Sequence, residues 1–224
     1  MNVAIIPARS ESKRIPRKNI KDFCGKPIIA YSIKVAQDSQ IFDKIIVSTD
    51  STEIAQVAMD FGAEVPHLRE SFCDDFATIL EVLAYEVNRL NLQKNDSICC
   101  IYPTAPLLKV DFLKKGFEKF LQNPKSYIFS ACEYNSNPLR SFFVRDDKIQ
   151  MLAGKFEFSR SQDLETLYYD AGQFYFGVAE NFLAKKPIFS EDSRIIKIPQ
   201  IFVADINTSE DWEIAELKYK ILAS

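Results

Sequence analysis

Val3-Ala4-Ile5-Ile6-Pro7-Ala8-Arg9-Ser10-Glu11-Ser12-Lys13-Arg14-Ile15-Pro16-Arg17-Lys18-Asn19 opens the chain with a strand signal that breaks into a charged loop. The short apolar run from Val3 to Ile6 reads as a buried strand. Pro7 breaks it, and the loop beyond joins small residues to the cations Arg9, Lys13, Arg14, Arg17 and Lys18. The apolar pattern returns only near Pro27. Open α/β sheets bind ligands at the carboxyl ends of their strands, so a cationic loop at that point suits a polyanion. Small side chains let backbone N–H groups approach phosphates, and Arg and Lys supply the opposing charge. By charge alone a solvated basic loop is an equal alternative. No Gly-x-x-x-x-Gly-Lys-Ser/Thr sequence occurs, so this is not a Walker A loop.

The surrounding chain has 224 residues, enough for one sizeable α/β domain with a full core. Its net charge is −3, so the cations of the first loop are a local feature, and no nucleic-acid partner is expected. The first apolar run is too short for a signal-peptide core and meets Arg9. No stretch reaches the roughly 18 apolar residues of a membrane helix, so no membrane partner is expected. The five cysteines (Cys24, Cys73, Cys99, Cys100, Cys132) lack metal-type spacing. Cys99 and Cys100 lie in an apolar run and read as small buried hydrophobes. A reducing, cytoplasmic setting is the expectation.

Strands and helices alternate through the first two-thirds. Strands are expected at Val3–Ile6, Lys44–Thr49, Ser97–Tyr102 and Tyr127–Cys132. Helices are expected at Pro27–Gln37, Thr52–Phe61, Ala77–Leu90 and Phe112–Leu121, with Gly62 stopping the second. This rhythm argues for a mainly parallel sheet with helices on both faces, a Rossmann-like α/β fold. After Glu133 the pattern changes. Phe142–Leu152 reads as two short strands about Asp146-Asp147, and Phe156–Tyr169 as irregular. Ala171–Val178 reads as a strand, Ile195–Ile206 as a strand pair broken by Pro199, and Asp211–Leu222 as a helix capped by Thr208 or Ser209. Residues 135–170 form the best candidate for an inserted dimerisation arm.

Three further groups carry chemistry. Tyr102-Pro103-Thr104-Ala105-Pro106 leaves a strand end, where two prolines stiffen the loop and hold Tyr102 and Thr104 in place. Arg160-Ser161-Gln162-Asp163-Leu164-Glu165 and Tyr169-Asp170-Ala171-Gly172-Gln173-Phe174-Tyr175 mix polar and aromatic residues, as a site for a polyhydroxylated ligand does. Arg160 suits a carboxylate, which arginine grips bidentately. Asp205 and Asn207, two apart on an expected strand, project to one face and would share a Mg²⁺ ion. Thr208 and Asp211 have capping-box spacing. Asp50 ends a strand and precedes a helix, so it suits either a ligand or a cap, and Asp75 suits a helix cap. The only histidine, His67, reads as structural.

The order of these groups resembles the CMP-sugar synthetases, or acylneuraminate cytidylyltransferases. Ala8, Arg9, Ser12, Lys13, Ile15, Pro16, Lys18 and Asn19 match that family's signature loop, with Ser10 and Glu11 where two glycines are common. Tyr-Pro-Thr-Ala-Pro, Arg-Ser-Gln-Asp-Leu-Glu and Asp-Ala-Gly-Gln-Phe-Tyr are similar to its pseudaminic acid subgroup. Asp205-Ile206-Asn207 stands where the family usually reads Asp-Ile-Asp. The resemblance runs from Val3 to about Trp212 and implies one nucleotidyltransferase domain over residues 1–224. It implies attack of the anomeric hydroxyl of a nine-carbon 2-keto sugar acid on the α-phosphate of CTP, with pyrophosphate leaving. By the same resemblance Arg9, Lys13 and Lys18 neutralise phosphates, and Asp205 with Asn207 holds Mg²⁺. Ala8, Ser10, Asn19, Arg69, Thr78, Tyr102, Pro103 and Thr104 complete the CTP site, and Tyr102, Arg160, Gln173 and Tyr175 face the sugar. A homodimer is implied, as is a role in surface or flagellar glycosylation. The alternatives are N-acetylneuraminic acid or an eight-carbon acid as substrate, UTP or GTP as donor, and a catalytically inactive nucleotide binder.

Overall fold

The structure, a computed structural model, describes residues 1–74 and 76–223. The chain begins with β1 (Asn2–Pro7), a small β2–β3 ribbon (Asp22–Phe23 and Lys26–Pro27) and helix α1 (Ile28–Ser39). β4 (Lys44–Ser48), α2 (Thr52–Asp60), α3 (Ile79–Arg89), β5 (Ser97–Ile101), α4 (Val110–Gln122) and β6 (Ile128–Glu133) follow. The hairpin β7–β8 (Phe142–Arg145 and Lys148–Met151) precedes β9 (Tyr168–Val178), α5 (Ala179–Leu183), β10 (Arg194–Lys197) and α6 (Ser209–Ala223).

Six strands form one sheet in the order β10-β6-β9-β5-β1-β4. All neighbours run parallel except β9, which lies antiparallel to both β5 and β6. The sheet is therefore mixed and mostly parallel, with β9 the exception that strand periodicity alone did not reveal. β1 alternates as a doubly buried strand must: Ala4 and Ile6 join one core, Val3 and Ile5 the other. The first core includes Ile29 and Ile33 of α1, Ile54 of α2 and Phe120 of α4. The second takes Leu83 and Val87 of α3 and Phe182 of α5. A third cluster packs Ile15 of the cationic loop with Phe23, Ile28, Ile206, Trp212 and Ala215, and so fastens that loop to α6.

Three local features place the site. Thr78 caps α3 through a full capping box with Glu81, so the helix starts at Ile79 and not at Ala77. The Asp75 cap expectation lies outside the described residues. Ser51, not Asp50, caps α2 by accepting from the Ile54 N–H. The register of β6 on β9 shifts between Phe129 and Ala131, where Ala131 pairs with Asp170 and Phe129 with Tyr175. The bulge holds Gly172 at φ +60, which glycine adopts without steric cost.

Ile195–Ile206 departs from the expected strand pair. Only β10 forms, followed by a 3-10 turn at Gln200–Phe202 and an extended segment that joins no sheet. Its apolar residues Val203 and Ile206 are buried by packing against separate clusters, so hydrophobicity there marks burial without a ladder. Asp205 and Asn207 thus lie on a connecting segment instead of a strand. The hairpin turns at Asp146 and Asp147, both at positive φ, as a tight two-residue turn demands.

Candidate active site

Loop anchoring comes first. Ala8 N–H donates to the Ser48 carbonyl at 2.8 Å, so the loop leaves β1 still paired to the end of β4. Asp50 then accepts from both the N–H and the hydroxyl of Ser10, each at 2.7 Å. Asn19 Nδ2 closes the loop on itself by donating to Arg9 O at 2.9 Å. Lys18 Nζ reaches Ile206 O at 2.7 Å, and Arg17 pairs with Glu53. A loop of this charge stays folded because it is anchored along its length, at the backbone of Ala8, Arg9 and Ser10 and at the side chains of Arg17 and Lys18. Glu11, the anion within it, is exposed.

Above the sheet this loop walls a cleft of about 590 Å³. Arg9, Glu11, Lys13, Arg14, Lys18 and Asn19 of the loop, Tyr102, Pro103 and Thr104 of the β5 exit, and Arg69, Phe72 and Asp74 of the turn before α3 line it. Ile79 and Val82 of α3 add an apolar strip. The cleft sits at the carboxyl ends of β1 and β5, where open α/β sheets take ligands. Burial, reinforced by Arg14 and Arg9 and opposed by Asp205, holds the Lys18 ammonium below its ordinary pKa.

Arg69 is 4% exposed and gives Nη1 to both the carbonyl (3.0 Å) and the hydroxyl (2.8 Å) of Ser48. The Ser48 hydroxyl donates in turn to Glu86 at 2.6 Å. The Tyr102 ring packs 5.7 Å from that of Tyr175 at a tilt of 60°, and burial pushes its phenol pKa up. Tyr175 donates to Asp170 behind it. Gln173 is buried in the bulge, where its side-chain Nε2 donates to Phe202 O at 2.6 Å and its backbone carbonyl accepts from Tyr102 N–H at 2.9 Å.

Of the residues expected at the nucleotide and sugar, the cleft gathers Arg9, Lys13, Lys18, Asn19, Arg69, Tyr102, Pro103 and Thr104. Ala8 lies buried beneath it, Ser10 is clamped to Asp50, and Thr78 caps α3 at its edge. Gln173 and Tyr175 stand behind the lining. Arg160 lies on the segment leading from the hairpin, exposed and bound to Asp163 at 2.7 Å. Sequence reading missed Phe72, Ile79 and Val82, whose only signal was an apolar residue next to a polar turn. It also missed the Ser48–Glu86 link, which joins residues 38 apart. The acid Asp205 is exposed, with Asn207 half-buried two residues on. Among the described residues no three acidic, cysteine or histidine side chains cluster, so a cation here needs substrate oxygens as further ligands. One carboxylate and one amide oxygen fit that partial donor set for Mg²⁺. Also among the described residues, no helix is long and apolar enough to cross a membrane.

A family described as cytidylyltransferase matches residues 3–220. A pseudaminic acid cytidylyltransferase of Campylobacter jejuni is 44% identical over 98% of this chain and 97% of its own length. A CMP-N,N'-diacetyllegionaminic acid synthase of Legionella pneumophila is 31% identical over 96% of this chain and 94% of its own. Among solved structures, CMP:2-keto-3-deoxy-manno-octonic acid synthetase complexed with CTP superposes with a TM-score of 0.73 at 15% identity, covering 98% of both chains. That last likeness is one of fold.

Proposed function

The chain belongs to the cytidylyltransferase family, and we propose that it activates pseudaminic acid with CTP, giving CMP-pseudaminic acid and pyrophosphate. One observation carries this reading: the cationic loop, Arg69 and the Tyr102–Thr104 exit share one cleft in a chain 44% identical to a relative of that activity.

The chemistry then follows from position and charge. Arg9, Lys13 and Lys18 neutralise the triphosphate and the departing pyrophosphate, while Asn19, Arg69 and the α3 start capped by Thr78 hold the nucleoside. Tyr102, Pro103 and Thr104 separate the nucleotide from the sugar acid. The anomeric oxygen attacks the α-phosphorus in line. An O–P bond forms as the bond to the bridging oxygen of the β-phosphate breaks, and the hydroxyl proton passes to solvent. Such transfer depends on alignment and charge neutralisation, with no covalent enzyme intermediate. Asp205 and Asn207 are the residues that would hold Mg²⁺, which when bound withdraws electron density from the α-phosphate.

The same reading assigns the arm. Residues 135–170 expose Phe142, Val144, Ile149, Leu152 and Phe158, the last 94% exposed, an apolar face that a second copy of the chain would cover. Arg160 would then meet the sugar carboxylate in the partner's cleft, its Asp163 contact exchanged for the ligand. Five free cysteines suit a reducing cytoplasm.

The test is pyrophosphate release from CTP and Mg²⁺ with pseudaminic acid or N-acetylneuraminic acid. Release with pseudaminic acid alone is expected. Release with N-acetylneuraminic acid alone keeps the reaction and overturns the substrate, and CTP binding without turnover favours an inactive binder.

A further inference from the structure

Ser48 is the junction of three parts of the cleft. Its carbonyl accepts from Ala8 N–H of the cationic loop (2.8 Å) and from Arg69 Nη1 (3.0 Å). Its hydroxyl has one proton, and that proton goes to Glu86 Oε1 at 2.6 Å. Toward Arg69 Nη1, 2.8 Å away, the same oxygen therefore only accepts. Glu86 is 1% exposed on α3, and its second oxygen lies 3.0 Å from His67 Nε2. A carboxylate so buried needs compensation. Arg69 supplies it through Ser48, whereas the second carboxylate oxygen and His67 Nε2, though close, make no hydrogen bond to each other.

We propose that Glu86 is a positioning residue of the nucleotide site. By taking the Ser48 proton it leaves that oxygen as the acceptor that orients the Arg69 guanidinium in the cleft wall. Glu86 therefore governs CTP affinity and not the affinity for the sugar acid. The inference rests on the assignment of Arg69 to the nucleotide in the proposed function.

The experiment is calorimetric titration of CTP into wild-type protein, Glu86→Gln, Ser48→Ala, Arg69→Met and the double variant Glu86→Gln/Arg69→Met. KM for the sugar acid is measured alongside. Loss of a charge-assisted link predicts about tenfold weaker CTP binding by Glu86→Gln and by Ser48→Ala, with the sugar KM unchanged. In the Arg69→Met background Glu86→Gln should add no further loss, which a general loosening of the fold would add. Should Glu86→Gln fail to fold, Ser48→Ala carries the comparison with Arg69→Met. Wild-type CTP affinity in Ser48→Ala and Glu86→Gln overturns the inference alone, as does an equal loss in both backgrounds. Failure of the wild-type protein to bind CTP overturns the proposed function, and the inference with it.

Discussion

Lys18 Nζ donates to the carbonyl oxygen of Ile206 at 2.7 Å, joining the first loop to a segment 188 positions away. The contact brings the Lys18 cation within the electrostatic influence of Asp205, so the cationic loop and the expected cation ligand meet at one corner beside the cleft, whose lining includes Lys18 and neither Asp205 nor Asn207.

The pH profile should report that corner. Burial, then Arg14 and Arg9, keep the Lys18 pKa below the ordinary 10.5, against the pull of Asp205. The charged form is thus less favourable in the folded than in the unfolded chain. Its cost is fully present below the folded pKa and fades as pH rises toward 10.5. On the proposed role of Lys18, activity needs the charge, so kcat/KM should decline on the alkaline side before an ordinary lysine titrates. Lys18→Arg should move that decline upward, and Lys18→Met should lower kcat/KM about 100-fold at neutral pH. An alkaline limb that Lys18→Arg leaves in place would assign it to another group.

Asp50 holds Ser10 by two bonds of 2.7 Å, and its substitution tests loop order without touching the phosphates. Asp50→Ala should raise KM for CTP about tenfold, the effect of losing a charge-assisted clamp. Steady-state kinetics at fixed sugar acid measure it. An unchanged KM would mean that the remaining anchors suffice.

Metal dependence should follow Asp205. Asp205→Ala should cut kcat about 100-fold and raise the Mg²⁺ concentration needed for half-maximal rate. Asn207→Asp adds a charge to the same corner and should lower that concentration. Chelation with EDTA should stop turnover in every variant. Equal Mg²⁺ titrations for wild type and Asn207→Asp would remove Asn207 from the ligand set.

Gly116 of α4 faces β9 so closely that an added Cβ would lie 2.7 Å from Phe174 and 3.0 Å from Phe176. Both rings are fully buried and have no room to retreat. Gly116→Ala should therefore destabilise by about 2 kcal/mol despite alanine's better helix propensity. At this chain length thermal denaturation should show a fall of about 5 °C. A stabilised variant would show that the helix can shift outward.

Subunit mixing tests the arm. Arg160→Ala and Lys18→Met proteins should each be nearly inactive. If Arg160 serves the partner's cleft, co-refolded mixtures should regain about a quarter of wild-type activity, because half the molecules are mixed dimers with one intact site. No recovery in a mixture shown to contain mixed dimers would keep Arg160 within its own subunit.

Much of this architecture was legible in the chain. Val3–Ile6 showed a buried strand through its unbroken apolar run, and Asp146-Asp147 showed the hairpin through residues that tolerate positive φ. The direction of β9 was not legible, because alternation of side chains is the same in parallel and antiparallel strands. Val203 and Ile206 imitated a strand because burial in a connecting segment selects the same residues. Local charge marked the loop from Arg9 to Lys18 that lines the cleft. Ser48 and Glu86 stayed hidden, since nothing in a helix position with ordinary charge announces a partner on a distant strand. Arg160, Gln173 and Tyr175 looked alike as neighbours in sequence, yet the structure puts the first on an exposed arm and the other two behind the cleft.

The antiparallel strand has a consequence for how the protein is made. β9 lies between β5 and β6, which have no ladder to each other, yet it is synthesised dozens of residues after β5. Until Tyr168–Val178 leaves the ribosome, β5 keeps one open edge and β6 has no partner at all. Unpaired edges of apolar strands recruit other chains. A nascent chain stalled before Tyr168 is thus the aggregation-prone form, and arrival of β9 is the event that commits the sheet to its final order.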